Sequence, residues 1–255
     1  MAEANGSARR GLLVAEASWD AVAQALAGGA VAVLPVGAAA KEHGRHLPMN
    51  ADWLLAEWLA LRLAERQPVA VWPTLAYGFY PAFTGYPGSV SLSAATFRAL
   101  IEEIAASIFN SGAASLVIVN TGISTVAPLE ALRAAAHTPA RIGLAHVWQG
   151  AGLCAVANAL REEARGGHAG EIETSVLLAI APQQVDMSRA QPWLPPSLET
   201  PGVLTYHDVT DPQYSPDGIF GDPTRATRAK GEQLLVAMLS DLEATIGRAS
   251  HAETW

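Results

Sequence analysis

The sequence predicts an α/β fold: a three-layer α/β/α sandwich with a mostly parallel central sheet. Short apolar, β-rich runs alternate with longer segments whose apolar residues recur at helical spacing, and Gly, Pro or Asn closes or follows most of the short runs. Scale agrees, because 255 residues with 50% apolar content suffice to bury one large core. No long Pro/Gly/Ser linker or charge block divides the chain, so 1–255 reads as a single α/β domain. About 1–10 and 248–255, polar or small, read as frayed tails.

The elements follow in order. "WDAVAQALAGG" (19–29) is a helical pattern stopped by two glycines, and "AVAVLPVG" (30–37) is the first buried strand. "DWLLAEWLALRLAERQ" (52–67) returns as a helix to the strand "PVAVWPTLAY" (68–77). The helix "AATFRALIEEIAASIFNSG" (94–112) leads to the strand "SLVIVNTG" (115–122), and "APLEALRAAAHT" (127–138) to "RIGLAHVWQ" (141–149). Strands separated by helices imply parallel pairing, and ligands of such sheets collect beyond the carboxyl ends of the strands.

Composition narrows the function classes. A formal net charge of −8 and the absence of a basic run argue against nucleic acid or an anionic membrane as partner. No apolar run reaches the roughly 20 residues of a membrane span, and the amino-terminal apolar stretch is too short for a signal peptide. The single cysteine, Cys154, excludes a disulfide framework and suits a reducing cytoplasm. Its apolar setting, "GLCAVANAL", reads as buried packing. The expectation is a soluble, cytoplasmic protein acting on a small molecule.

Two polar stretches carry the chemistry. In "KEHGRHLPMNAD" (41–52), directly after the first strand, His43 and His46 stand three apart around Gly44, flanked by Glu42 and Asp52. Imidazole and carboxylate donors suit zinc, manganese or iron. The other reading is a surface turn in which Asp52 or Asn50 caps the following helix. In "GGHAGEIETSVLLAIAP" (166–182), His168 lies among small residues, and Glu171 and Glu173 enter a helix whose apolar side continues through Val176, Leu177 and Ile180. Acids in a first helical turn are also a common structural device.

Taken together, "LPVGAAAKEHGRHLPMNAD", "YPGSVSL", "HAGEIETS" and "GIFGDPTRATRAKGEQLL", in that order, resemble the creatininase (creatinine amidohydrolase) family over nearly the whole chain. The resemblance implies an α/β/α domain with a divalent-metal site at the carboxyl edge of the sheet. It also implies cleavage of a C–N bond in a small amide (cyclic, formyl or short peptide-like) and a homo-oligomer, with hexamers recurrent in the family. Carried onto this sequence, it makes His43 and Asp52 metal ligands, with Glu42, Glu173 and His46 completing a reduced site for one ion per subunit. His168 becomes the proton carrier, with Glu171 and Lys41 as further catalytic candidates.

The departures from the family are specific. The family's first glutamate position holds Lys41, and the run "GAAAKEHG" is one residue longer than usual. Either a bulge brings Glu42 onto the metal, or the Lys41 ammonium takes the vacated metal position. After the third strand, Gly122 stands in place of a family histidine, within "VNTGIST" (119–125). Asn120, Thr121, Ser124 and Thr125 are left to hydrogen-bond a substrate, the other reading being a polar strand-to-helix turn capped by Ser124 or Thr125. Gly167 replaces the acid/base residue before the histidine, which argues against creatinine as substrate. Tyr80, in the aromatic loop "YGFYPAFTGYPGS" (77–89), would wall the pocket, although such loops also make oligomer contacts, as would Trp53, Trp58, Trp148 and Trp193. The expected activity is metal-assisted amide hydrolysis. Its alternative is a metal-free binding protein, lyase or isomerase that uses His168 and Lys41.

Overall fold

The computed structural model describes residues 9–136, 141–194 and 203–250. Among these, the sheet has five strands, β1 (Leu12–Leu13), β2 (Val31–Val36), β3 (Val69–Val71), β4 (Leu116–Asn120) and β5 (Ile142–His146). Every pairing is parallel, and the spatial order is β1-β3-β2-β4-β5. The segment 68–77 pairs continuously only over β3. Pro73, which has no N–H to give a ladder, follows, and pairing resumes as a single bridge between Leu75 and Val36.

Successive side chains of a strand point to opposite faces, so each strand feeds two cores. Val31, Val33, Val69, Val71, Val117 and Val119 pack with α2 (Ala51–Arg66), α5 (Ala151–Leu160), α6 (Glu171–Ile180) and α7 (Arg228–Ser250). Ala32, Leu34, Val36, Leu116, Ile118 and Ile142 pack with α1 (Trp19–Ala27), α3 (Ala94–Asn110) and α4 (Val126–Ala135). Every residue of β2 and β4 is buried, which is why these strands read as continuous apolar runs rather than alternating ones. In α2, Leu55, Leu59 and Leu63 recur every fourth residue at no more than 1% exposure. Each contributes about 1.5–3 kcal/mol of burial.

β2 is the centre of the topology. From it the chain passes through α2 to β3 on one side and later returns as β4 on the other, so the carboxyl ends of β2 and β4 form the point where strand order diverges. The segments 37–50 and 121–125 begin there.

Some details depart from expectation. α7 continues to Ser250, so 248–250 are helical rather than frayed, while residues 1–8, 137, 138 and 251–255 lie outside the described ones. Cys154 is exposed, since the face of α5 that meets the core is carried by Leu153 and Ala157. Trp53, Trp58, Trp148 and Trp193 are half-buried, and the last three pack on the sheet's core; among the described residues the exposed tryptophan is Trp19, at 84%. No described helix is long and apolar enough to cross a membrane.

Candidate active site

The loop after β2 is drawn under the start of α2. Gly37 permits this, because a Cβ there would lie 2.5 Å from the Asp52 carbonyl oxygen. Lys41 N–H donates to Met49 O (3.0 Å), Trp53 N–H to Ala38 O (3.1 Å), and the Thr121 hydroxyl lies 3.0 Å from Asp52 O and 3.1 Å from Val36 O. The folded loop buries Lys41, Glu42, His43, His46 and Asp52. Neither of the capping roles open to Asn50 and Asp52 is used: Asn50 occupies the N-cap without a side-chain bond, and the Asp52 carboxylate turns inward.

Lys41 resolves the ambiguity of the insertion. The residue is 4% exposed, and its ammonium lies 2.7 Å from Asp52 Oδ2, 4.8 Å from the Phe83 ring centre and 5.7 Å from that of Tyr80. His43 presents Nε2 to Asp52 Oδ1 at 3.1 Å and donates from Nδ1 to the Lys41 carbonyl (2.9 Å). Burial alone would raise the Asp52 pKa, but the Lys41 ammonium and His43 hold it well below the usual carboxylate range.

Glu42 goes elsewhere. It accepts the Gly44 N–H through Oε1, and its Oε2 is 3.0 Å from His168 Nε2. The same nitrogen is 3.0 Å from the Glu42 backbone oxygen. Two acceptors on one ring nitrogen assign a proton to Nε2. Nδ1 faces Glu173 Oε2 at 3.8 Å, and Glu173 is itself held by the Ala169 N–H at 2.6 Å. Ala169 adopts φ +50°, the one positive φ among the described non-glycine residues, and it turns the chain between His168 and α6. The ring of His168 lies against Phe83, with centres 4.3 Å apart.

The other predicted residues divide. His46 bonds Thr174 Oγ1 (2.8 Å) while its Nδ1 is buried without a partner among the described residues, and burial lowers its pKa to about 4. Glu171 is turned away from His168. Its carboxylate accepts the N–H groups of Glu162 and Glu163 (both 2.8 Å) and the Lys230 ammonium, so it holds α6 and α7 together. Asn120 is used within its own loop, bonding Gly122 O (2.7 Å), Gly122 N–H (3.2 Å) and the Thr125 hydroxyl (2.7 Å). Tyr80 fills the space beside Gly122: a Cβ on that glycine would lie 3.1 Å from the Tyr80 ring and 2.7 Å from Thr125 Oγ1.

A second buried carboxylate supports the histidine loop. Glu163 accepts N–H groups from Asp222 (2.7 Å) and Glu171 (3.1 Å) and lies 3.4 Å from the Arg161 guanidinium. Gly166, Gly170 and Gly221 close around it, and a Cβ on any of them would collide with its oxygens. Burial pushes its pKa up against the pull of these donors.

Lys41, Phe83, Thr121, Ser124, His168 and Glu173 line an inner cavity of about 80 Å³. It shares Ile123, Trp148, Gly167, His168 and Glu173 with an adjoining outer chamber of about 270 Å³. A larger groove of about 480 Å³, beside Trp58 and Trp72, contains none of the predicted site residues. Phe83 belongs to the aromatic loop expected to wall the pocket, whereas Trp148 is a candidate site residue that sequence reasoning had treated as interface. Trp148 had a signal, an aromatic just past the carboxyl end of a strand, and its Nε1–H donates to Thr121 O (2.7 Å).

These side chains do not fit a resident divalent ion. A catalytic zinc site uses three protein donors, but only His43 and Asp52 face each other here, with an ammonium on the carboxylate and Gly122 at the end of β4. Glu42 and Glu173 serve His168, and His46 is bonded to Thr174. Among the described residues no group of three or more His, Cys, Asp or Glu side chains could hold a metal.

The family model of creatininase, described as creatinine amidohydrolase, matches residues 15–246. The creatinine amidohydrolase of Pseudomonas putida is 32% identical over 249 residues, covering 89% of this chain and 92% of that protein. A mycofactocin precursor peptide peptidase of Mycolicibacterium smegmatis is 31% identical, covering 82% and 81%. A crystal structure of creatinine amidohydrolase superposes with a TM-score of 0.77 at 28% identity, over 93% of this chain and 97% of that one. Manganese and Zn–Zn forms of creatininase match at TM-scores of 0.76 and 0.77 and identities of 28% and 29%, each over 92% of this chain and 97% of the other. The chain therefore belongs to the creatininase family, whose members are amidohydrolases that cleave C–N bonds.

Proposed function

We propose that this chain hydrolyses the C–N bond of a small amide with the Lys41 ammonium supplying the positive charge of the site. The observation that carries this reading is the buried Lys41–Asp52 pair at 2.7 Å in the wall of a cavity that also presents His168 and Glu173. A substrate carbonyl oxygen placed against Lys41 Nζ meets a fixed cation at low dielectric, where it stabilises a developing oxyanion far better than in water. Asp52 and His43 keep the ammonium in place.

His168 moves the proton. With Nε2–H fixed on Glu42, Nδ1 can take a proton from a water positioned by Glu173 as that water attacks the carbonyl carbon. The tetrahedral intermediate, with its oxyanion on Lys41, collapses as Nδ1–H returns the proton to the departing nitrogen, leaving a carboxylic acid and an amine. Glu42 serves as the orienting carboxylate of a Glu–His pair. Thr121 and Ser124 offer hydroxyls at the inner wall, and Phe83 and Trp148 enclose it.

The test is turnover of N-formyl and N-acetyl amides by protein stripped with chelator and shown by elemental analysis to be free of transition metal. Hydrolysis that survives stripping and is lost in Lys41→Met and His168→Ala supports the reading. Hydrolysis that appears only when zinc or manganese is returned overturns it.

A further inference from the structure

The outer chamber differs from the inner cavity in character. Leu153, Ala157, Ile172 and Ile123 give it apolar walls, and at its rim Asn158 and Arg161, from α5 and the residue after it, are polar. Among the described residues Arg161 is the one lysine or arginine in its lining, as Lys41 is in that of the inner cavity. The guanidinium is 31% exposed, and its partner Glu163 lies at 3.4 Å, the long limit of a hydrogen bond. The contact runs from Arg161 Nη1 to Glu163 Oε1, so it orients Arg161 while leaving most of its five donors unused.

We propose that Arg161, assisted by Asn158, is a carboxylate-binding subsite, and that the substrate class is an N-acyl amino acid with a short acyl group and an apolar side chain. This assignment rests on the amide reading above for its orientation. The carbonyl belongs with Lys41, and a volume of about 80 Å³ suits a short acyl group such as formyl or acetyl there. His168 and Glu173 line both compartments, which places the departing nitrogen at their junction and the amino-acid portion in the chamber of about 270 Å³. Its side chain then meets the apolar wall, and its carboxylate meets a planar fork suited to two parallel bonds. Hydrolysis would release formate or acetate and the free amino acid.

The test is binding rather than turnover, so that loss of the amide-hydrolysis reading leaves it decidable. N-acetyl-leucine, N-acetyl-leucinamide and a pentapeptide ending in leucine are titrated by calorimetry into wild type, Arg161→Gln and Arg161→Lys. The expected result is that wild type prefers N-acetyl-leucine over its amide by about ten-fold or more, the worth of a charge-assisted hydrogen bond. Arg161→Gln should lose this preference and Arg161→Lys keep part of it. Equal binding of acid and amide, absence of binding by both, or an undiminished preference in a folded Arg161→Gln overturns the subsite. A pentapeptide that binds more tightly than N-acetyl-leucine overturns the short-acyl assignment.

Discussion

Removing the Lys41 side chain tests whether its ammonium stands in for a metal ion. In Lys41→Ala the Asp52 carboxylate, 3% exposed, keeps His43 as its one partner among the described residues. At 2.7 Å the ion pair has a gross attraction of about 6 kcal/mol at an effective dielectric constant of 20. Breaking a buried pair from one side costs about 3–5 kcal/mol. With an unfolding entropy of about 2.1 cal/mol/K per residue, this lowers the Tm of a 255-residue chain by roughly 6–9 °C. The double variant Lys41→Met/Asp52→Asn, which removes both charges, should regain most of the loss. Lys41→Glu places a third donor beside Asp52 and His43, so zinc at 100 times its Kd should raise that variant's Tm by about 5 °C, from about 2.7 kcal/mol of linkage. Scanning calorimetry of the four proteins, with and without zinc, decides the matter. A Lys41→Ala protein within 2 °C of wild type (~1 kcal/mol), or a wild type that gains as much from zinc as Lys41→Glu, refutes the reasoning.

Other outcomes are expected from the same geometry. Glu42→Gln should reduce kcat by about 10²-fold or more with little change in KM, because the proton on His168 Nε2 loses its carboxylate partner while the cavity is unchanged; a matching rise in KM would show that Glu42 only shapes the pocket. Gly122→His should bind no additional metal by elemental analysis and should cost about 1–3 kcal/mol in urea unfolding, since its Cβ meets Thr125 and Tyr80. For His46 the folded pKa of about 4 lies below the unfolded value near 6.5, so the unfolded chain binds the extra proton between them. Stability should therefore fall as pH drops from about 6.5 toward 4, by up to about 3 kcal/mol, and His46→Gln should flatten that slope in denaturant titrations at stepped pH.

The alternation of strands and helices was legible because β2, β4 and β5 are apolar runs closed by turn residues, and the two histidine motifs were legible because they follow strand ends or enter a helix. Pointing direction was not legible in the loop. Lys41 and Glu42 are neighbours, and the fold that sends one to Asp52 and the other to His168 is set by contacts with Met49 and Ser89. Glu171 could have been decided in advance. Two residues apart on a helix are about 200° apart, so Glu171 and Glu173 cannot both face one site. The blocking of Gly122 by Tyr80 is a contact between distant segments with no local signature. α5 and α7 were not recognised as helices, and Asn158, within an apolar stretch, and Arg161, at the head of the charged run "REEAR", gave no local sign of a shared site.

The enclosure of Glu163 by Gly166, Gly170 and Gly221 has a consequence for how this sequence can drift. Each glycine excludes a side chain because the carboxylate is present, so a first substitution at any of the three is penalised while Glu163 remains. Once Glu163 shortens to Ala or Ser, the space opens, and a methyl at Gly166 or Gly170 becomes acceptable and even useful for refilling it. Gly221, at φ +151°, stays restricted by its backbone. The order of mutational steps is thus constrained: the acid must change first, and afterwards Gly166 and Gly170 are released, making reversion to Glu163 harder with every residue that fills its place.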